Sequence, residues 1–315
     1  MRNKQECMRD MHAITFLLIP HSCSFKKERM KIWRILNILV FLMLAWYSGN
    51  TLAQAPAGAI EFGISPSLFQ LTIGAQNKTE SFRVFNFGAR PMKFQISVHN
   101  WEVDEAFNVQ VIPPTEQSLD QWIVINPVEF TVAPGKSQVV RFAIRPRVQP
   151  EPGEHRAILY TCEVPIKTEN QSQSNIVGCI GAAVYGDYGE ISRIGILHDV
   201  TLVSATNPVL ARFDISSEGN AHVRMDGQYA IWKASAYPGT ENTTRLEDMQ
   251  DAEKLAAQGI ADAGVLPSLP VLPGTRRTME LQTSMVLAPG EYVLDINGSL
   301  SGNAIDQGIP FSIPK

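Results

Sequence analysis

The sequence lacks the short motifs that usually identify an enzyme. It contains no Gly-x-Ser-x-Gly, no His-Glu-x-x-His, no glycine-rich phosphate-binding loop and no Cys-x-x-Cys. Beyond residue 55 the histidines are far apart in sequence, and single histidines on strands are more often surface or core groups than catalytic groups. These four are His99, His155, His198 and His222. The sequence therefore predicts a protein that is not an enzyme and uses no nucleotide.

Signals for a metal ion or for nucleic acid are also missing. The acidic residues at 104–105 and 247–253 do not follow the alternating ligand spacing of a calcium loop. The first 57 residues hold 8 of the 27 Lys and Arg and 3 of the 31 Asp and Glu, so the rest of the chain carries 19 basic and 28 acidic residues. This acidic balance argues against nucleic acid as a partner. We expect no metal and no cofactor.

No apolar run in the chain reaches the roughly 20 residues that span a bilayer. The longest run, Ile35–Trp46, follows Lys31 and Arg34 and has the length of a signal-peptide core. Small residues at 51–55 fit a cleavage site, so residues 1–55 are predicted to be a presequence that is removed on export. Met30 is an alternative start of the chain, and an uncleaved anchor is the alternative to cleavage.

Cysteine is scarce, with four residues in the whole chain. Cys7 and Cys23 fall in the presequence, which leaves Cys162 and Cys179 as one possible pair. In an oxidising compartment a disulfide between them would stabilise the fold by about 3 kcal/mol in the chain-entropy model. The alternative is two buried free thiols. Two cysteines alone do not make a zinc site.

Strand patterns fill the remaining 260 or so residues, a length that suits two domains. Phe94, Ile96 and Val98 alternate with polar residues, and turn residues separate short segments of this kind along the chain. Pro134 and Gly135 have the residue types of a type II turn. Such a pattern predicts an all-β fold of two β-sandwich domains, at residues 56–186 and 187–315.

One segment of the second domain breaks the strand pattern. Thr244 and Glu247 fit a helix capping box. The residues that recur at helical spacing after it are Leu246, Met249, Ala256 and Ile260. We therefore expect a short helical insertion within residues 244–264, between strands of the second domain.

A pattern of strand and turn residues runs through residues 62–185. Its members are Val84, Asn86, Gly88, Asn126, Pro127, Pro134, Gly135, Gln138 and Arg141. With these residues, segment 62–185 resembles the first immunoglobulin-like domain of periplasmic pilus-assembly chaperones, the PapD-like family. Segment 154–165 resembles the strand before the family's long loop, and segment 176–184 resembles the next strand, G1.

The resemblance implies two immunoglobulin-like domains and a periplasmic chaperone that binds pilus-like subunits by donor-strand complementation. An outer-membrane usher would be a further partner. In the family, alternate side chains of G1 fill the groove of a subunit that lacks a strand. The predicted subunit-binding residues are accordingly Ile176, Gly178, Ile180, Ala182 and Val184. The alternative for this face is that it belongs to the protein's own core.

The chain departs from the family at the basic pair that anchors the terminal carboxylate of the subunit. The corresponding segments, 67–70 and 182–184, contain no basic residue. The sequence is therefore identified as a divergent member. A non-catalytic immunoglobulin-like surface scaffold or adhesin accessory protein is the alternative function.

Overall fold

The structure, a computed structural model, describes residues 60–74, 79–164, 178–206 and 208–315. The predicted presequence, residues 1–55, lies outside the described residues. Strands dominate the rest and form four sheets. In the first half of the chain they are β1 (Phe62–Ser65), β2 (Leu68–Thr72), β3 (Thr79–Asn86), β4 (Met92–Val103), β5 (Val109–Ile112), β6 (Ile123–Asn126), β7 (Glu129–Val132), β8 (Ser137–Ile144), β9 (Gly153–Val164) and β10 (Cys179–Tyr188).

Strands β1 to β10 form one sandwich of two sheets. The first sheet has the order β1-β3-β8-β6, and the second has the order β2-β10-β9-β4-β5, with β7 also paired to β4. With the strands lettered A to G along the chain, these orders correspond to ABED and to GFC with part of strand A added beside G. That arrangement is an immunoglobulin-like sandwich, as predicted.

Alternate residues of these strands fill the space between the two sheets. Phe82 on β3 and Val140 and Phe142 on β8 are almost completely buried, and Phe94 projects from the facing sheet. The ring of Phe69 meets the ring of Phe142 edge-on, with centroids 5.0 Å apart. Burial of each of these side chains stabilises the fold by about 1.5–3 kcal/mol.

The turn predicted at Pro134 and Gly135 is present, and it connects the two sheets. Gly135 has a φ of 65°, which glycine adopts without strain. The N–H of Lys136 donates to the C=O of Ala133 at 3.1 Å. Because β7 before the turn pairs with β4 and β8 after it pairs with β3, the turn does not close a hairpin. The residue types predict the turn but not the partners of the strands beside it.

The second half of the chain forms another sandwich, which also consists of two sheets with apolar side chains between them. Its sheets have the orders β11-β12-β15 and β14-β13-β16-β17. Phe213, Ile215, Ile231 and Leu294 are fully buried between them. The predicted pair of sandwiches is therefore confirmed. The strands are β11 (Gly195–Ser204), β12 (Leu210–Ser217), β13 (Met225–Lys233), β14 (Ile260–Val265), β15 (Arg276–Gln282), β16 (Gly290–Leu300) and β17 (Asn303–Ile313).

The predicted helical insertion is present between β13 and β14, but it starts later than the capping box indicated. The helix, α1, covers Ala252–Gln258. Its N-cap is Asp251, whose carboxylate accepts a hydrogen bond from the N–H of Lys254 at 3.1 Å. The assignment of the cap to Thr244 and Glu247 is wrong. Asp251, seven residues after Thr244, supplies the side-chain oxygen that accepts a main-chain hydrogen bond at the start of the helix.

The helix also ends earlier than the spacing indicated. Gly259, with a φ of 88°, terminates it. The next residues form β14, which pairs with β13 from Ile260 opposite Trp232 to Val265 opposite Gln228. Tertiary pairing thus overrides a helical spacing of apolar residues that is only local.

The junction between the two sandwiches falls near the predicted domain boundary. Strand β10 continues to Tyr188, and β11 begins at Gly195. The division of the chain into domains at residues 186 and 187 stays a prediction.

Candidate functional site

The first strand of the chain changes sheets, and this leaves part of β10 without a neighbour. Strand β1 pairs with β3, whereas β2 pairs with β10. Pro66, between them, has no N–H to donate to either ladder. Pairing with β2 begins only where Leu68 lies opposite Ala183. Among the described residues, no strand lies beside Cys179–Ala182 on the side away from β9. We call this segment the open edge.

Hydrogen bonds show which main-chain groups face the open edge. The C=O of Gly178 accepts a bond from β9 at 3.0 Å, and the N–H of Ala183 donates to the C=O of Ser67 at 2.9 Å on the opposite side. Successive residues of a strand direct these groups to opposite sides. The N–H and C=O groups of Cys179 and Gly181 therefore point to the open edge. Such a row of free groups is a template for pairing with another chain.

The side chains on the predicted binding face of β10 differ in their surroundings. Ala182 and Val184 are fully buried in the core of the first sandwich. Ile180 is partly buried and packs against the same core, and Gly178 is half-buried. Ile176 lies outside the described residues. At Ala182 and Val184 the expectation of an exposed face is corrected, because both side chains already fill the space between the sheets.

The opposite face of β10 turns from exposed to buried along the strand. Cys179 is exposed, whereas Tyr185 is buried. The ring of Tyr185 meets that of Trp101 edge-on at a centroid distance of 5.8 Å. Leu272 of the second sandwich belongs to the same apolar cluster. The far end of β10 is therefore fixed between the two sandwiches, and only its first residues border the open edge.

The predicted disulfide between Cys162 and Cys179 is present. The two cysteines lie directly opposite each other on β9 and β10, with Cα atoms 4.1 Å apart. The bond therefore ties the start of β10 to β9 at the open edge. The sequence indicated the pair by elimination, and the register of the two strands supplies the geometry.

Exposed apolar side chains stand at both ends of the open edge. Leu68, the first residue of β2, is 51% exposed, and Ile60 is 57% exposed. Ile60 lies beside Gly178, since a Cβ placed on that glycine would be 3.4 Å from Cγ1 of Ile60. The free main-chain groups are thus bordered by apolar surface, which suits a partner strand with apolar side chains.

A buried acid–histidine pair joins the two sandwiches near β10. The side chain of Glu154 on β9 is fully buried, and it accepts a hydrogen bond from Nδ1 of His222 in the second sandwich. Arg156 lies 3.3 Å from the same carboxylate. Burial alone would raise the pKa of Glu154, but the hydrogen bonds from the ring and the main-chain N–H of His222, together with the charge of Arg156, lower it below its ordinary value.

Arg224 extends this network to β10. Its guanidinium donates to Nε2 of His222 at 3.2 Å, to the C=O of Ser268 at 2.7 Å and to the hydroxyl of Tyr185 at 3.1 Å. In the described part of the chain, no carboxylate lies within ion-pair distance of it. Arg224 was not among the site residues predicted from the sequence, because its contact with β10 arises only when the two sandwiches meet.

Two further features bear on function. Within the described ranges, no group of three or more His, Cys, Asp and Glu residues is placed to hold a metal ion. Across the same ranges, none of the helices has the length and apolar character needed to cross a membrane.

Comparison with known proteins gives similarity at the level of structure alone. No protein-family model matches the sequence, and no curated protein sequence matches it. Among solved structures, a chaperone–tip adhesin complex of CFA/I fimbriae biogenesis is 14% identical, with a TM-score of 0.40 over 81% of this chain and 100% of that one. The YadV chaperone is 9% identical, with a TM-score of 0.41 over 80% of this chain and 100% of that chain.

A third similar structure is the CsuC–CsuE chaperone–tip adhesion subunit pre-assembly complex of archaic chaperone-usher Csu pili from Acinetobacter baumannii. It is 13% identical, with a TM-score of 0.39 over 81% of this chain and 100% of that one. Because all three scores lie below 0.5, the fold assignment rests on the strand orders and registers given above. Those orders define two immunoglobulin-like sandwiches joined beside an open strand edge.

Proposed function

We propose that the protein is a divergent PapD-like periplasmic chaperone that binds pilus-like subunits through strand β10. The observation that carries this proposal is the open edge, where Cys179 and Gly181 present unpaired main-chain groups. In donor-strand complementation, main-chain hydrogen bonds supply affinity and alternate side chains supply selectivity. The residues nearest the edge on the predicted binding face are Gly178 and Ile180, and Ile176 continues that face in the sequence.

The disulfide supports the location of the protein in an oxidising compartment. Bonds of this kind persist in exported proteins and are rare in the cytosol. The apolar run at 35–46 and the small residues after it fit export through a cleaved signal peptide. These two features support export, and the proposed chaperone role places the protein in the periplasm, where an outer-membrane usher would receive it with its subunit.

The proposal can be tested by co-purification of a tagged copy from the periplasm of its own host, with partners identified by mass spectrometry. Wild-type protein should recover small β-rich subunits. Leu68→Asp and Ile60→Asp place a charge at either end of the open edge, where apolar side chains now stand. Each should lower subunit recovery by about tenfold, equivalent to about 1.4 kcal/mol.

Val124→Asp is the matched control. Val124 is 60% exposed on β6, an edge strand of the other sheet in the same sandwich. Its substitution should leave subunit recovery unchanged. Equal losses for all three variants would contradict binding at the open edge. Recovery of no subunit with the wild-type protein would favour the surface-scaffold alternative.

A further inference from the structure

Strand β5, Val109–Ile112, forms an edge of the second sheet of the first sandwich. It pairs with the end of β4, from Ile112 opposite Asn100 to Val109 opposite Val103. Among the described residues, no strand pairs with its other side. Proteins usually protect such an edge with a charged residue, a proline or a bulge. The sequence of β5, Val-Gln-Val-Ile, contains no charge and no proline, and its pairing with β4 is regular. The edge can therefore pair with another strand.

The hydrogen bonds of the β4–β5 hairpin show which main-chain groups face outwards. The N–H of Asp104 donates to the C=O of Asn108 at 3.0 Å, so the main-chain groups of Asn108 point towards β4. Successive residues of a strand direct these groups to opposite sides. The N–H and C=O groups of Gln110 therefore face β4, whereas those of Val109 and Val111 face the free side of the strand.

The side chains of Val109 and Val111 share one face of the sheet. They lie opposite Val103 and Trp101 of β4, and both of these residues are buried in one apolar cluster. The two valines beside this cluster are 40% and 52% exposed. Valine favours strands, and cross-strand pairs of β-branched side chains stabilise a sheet. The outer side of β5 thus combines free hydrogen-bonding groups with apolar surface.

The pattern of β5 is symmetric about Gln110. When a second copy of the strand lies antiparallel beside it, with the two Gln110 residues opposite each other, Val109 of each copy lies opposite Val111 of the other. Each of these valine pairs can exchange both main-chain hydrogen bonds, as the hydrogen-bonded pairs of an antiparallel ladder do. The valines of both copies then meet on one face of the sheet. A two-fold axis at Gln110 therefore gives a partner to every outward main-chain group of Val109 and Val111.

We propose that two copies of the protein associate through β5 into a symmetric dimer, in which the sheet continues from one copy into the other. A second copy fits this edge because the same residues can supply both sides of the contact. In addition, β5 carries no charge that would repel its own copy. A contact made by one strand of four residues is smaller than the roughly 1,000 Å² of a stable interface. The dimer is therefore weak, with a Kd on the order of 0.1 mM.

The dimer leaves the open edge of β10 free. Strands β9 and β4 lie between β10 and β5 in the sheet, so the two edges are separate. Two associated copies would present two open edges. The association itself does not depend on the proposed function, since it uses a different strand.

Sedimentation equilibrium of the purified protein, at concentrations from about 0.01 to about 1 mM, tests the proposal. The average mass of the wild-type protein should rise from that of one copy towards that of two. Val111→Lys places a charge at the contact, and Val111→Pro removes an N–H that β4 does not use. Each should raise the Kd by about tenfold or more. Because Val111 is exposed, both variants should keep the fold, which near-ultraviolet circular dichroism checks.

Val124→Lys is the matched control, because Val124 is 60% exposed on β6, an edge strand of the other sheet. It should associate as the wild-type protein does, and so should Leu68→Asp at the open edge. A wild-type protein that remains a single copy at about 1 mM would overturn the proposal. Unchanged association of both Val111 variants would also overturn it. Loss of association in Leu68→Asp alone would place the contact at the open edge and would contradict a dimer through β5.

Discussion

Glu154 contacts the second sandwich with both its main chain and its side chain. Its main-chain N–H donates to the C=O of Asn220 at 2.9 Å, and its carboxylate contacts both His222 and Arg156. A carboxylate with no exposure to water depends on such partners, because burial disfavours its charge. Glu154 therefore helps to hold the second sandwich beside β10, together with the hydrogen bond from Arg224 to Tyr185 and the apolar contact of Leu272.

Replacement of Glu154 by Gln should lower the free energy of unfolding by about 2 kcal/mol, because the buried charged hydrogen bonds are lost while the shape is kept. Urea unfolding at pH 7 measures the change. Glu280→Gln is the matched control. Glu280 pairs with Arg212 at 2.8 Å on the surface, where such a pair contributes less than about 1 kcal/mol.

Wild type and Glu154→Gln also test how the stability contribution of Glu154 depends on pH. Because the folded pKa of Glu154 is lowered, its contribution is fully present above the unfolded value of about 4.3 and is lost as the pH falls through the folded value. The stability difference between wild type and Glu154→Gln should therefore narrow below about pH 4. A difference that is constant from pH 7 down to pH 3 would count against the charge as its cause.

At the scale of elements, two strands of the second sandwich approach each other closely at a pair of glycines. Gly227 on β13 lies opposite Gly298 on β16, and the φ of Gly227 is 147°. A Cβ at Gly227 would lie 2.4 Å from the Cα of Gly298. Backbone atoms cannot move away as a flexible side chain can. At this position the two strands can come this close only because both residues are glycine.

Gly227→Ala should lower the free energy of unfolding by about 1–3 kcal/mol more than Gly302→Ala. Gly302, between β16 and β17, also has a positive φ of 92°, but nothing lies within 4 Å of a Cβ built on it. Gly302→Ala introduces the backbone strain of a positive φ without a clash. The difference between the two variants therefore measures the cost of the clash. Urea unfolding of both variants gives the comparison, and equal losses would rule out the clash as the main cost.

The sequence predicted elements best where one local signal decides their structure. The turn at Pro134 and Gly135 follows from fixed and positive φ values, so residue types alone identify it. The end of α1 and the strand β14 were missed, because the apolar spacing of 244–264 fits a helix until β13 offers Ile260 a partner strand. A partner distant in sequence leaves no local pattern to detect.

Only part of the candidate site was predicted from the sequence, because the rest depends on contacts between residues that are distant in sequence. Alternation along β10 correctly separated the two faces of the strand, since period two is a property of the strand itself. It did not show that the side chains of Ala182 and Val184 lie in the core. Nor did it show that the main-chain groups of Cys179 and Gly181 face an open edge. That distinction depends on where β2 begins to pair, which is a consequence of the whole sandwich.

At the scale of the whole molecule, the change of sheets between β1 and β2 creates the open edge, and the second sandwich holds the far end of the same strand. Strand β10 is paired with β9 over its entire length, from Cys179 opposite Cys162 to Tyr188 opposite Gly153. A partner strand can therefore add to its free side without displacing a pair already made, and this is the central claim of the proposed function.

Amide hydrogen exchange at Cys179 and Gly181, measured in the purified protein alone and in its complex with a subunit, tests this claim most directly. Both N–H groups face the open edge, so they should exchange fast in the free protein. In the complex both should become strongly protected, while Ala183, already bonded to Ser67 at 2.9 Å, should be protected in both states. Protection of Cys179 and Gly181 in the free protein, or unchanged exchange in the complex, would contradict the proposed addition of a strand.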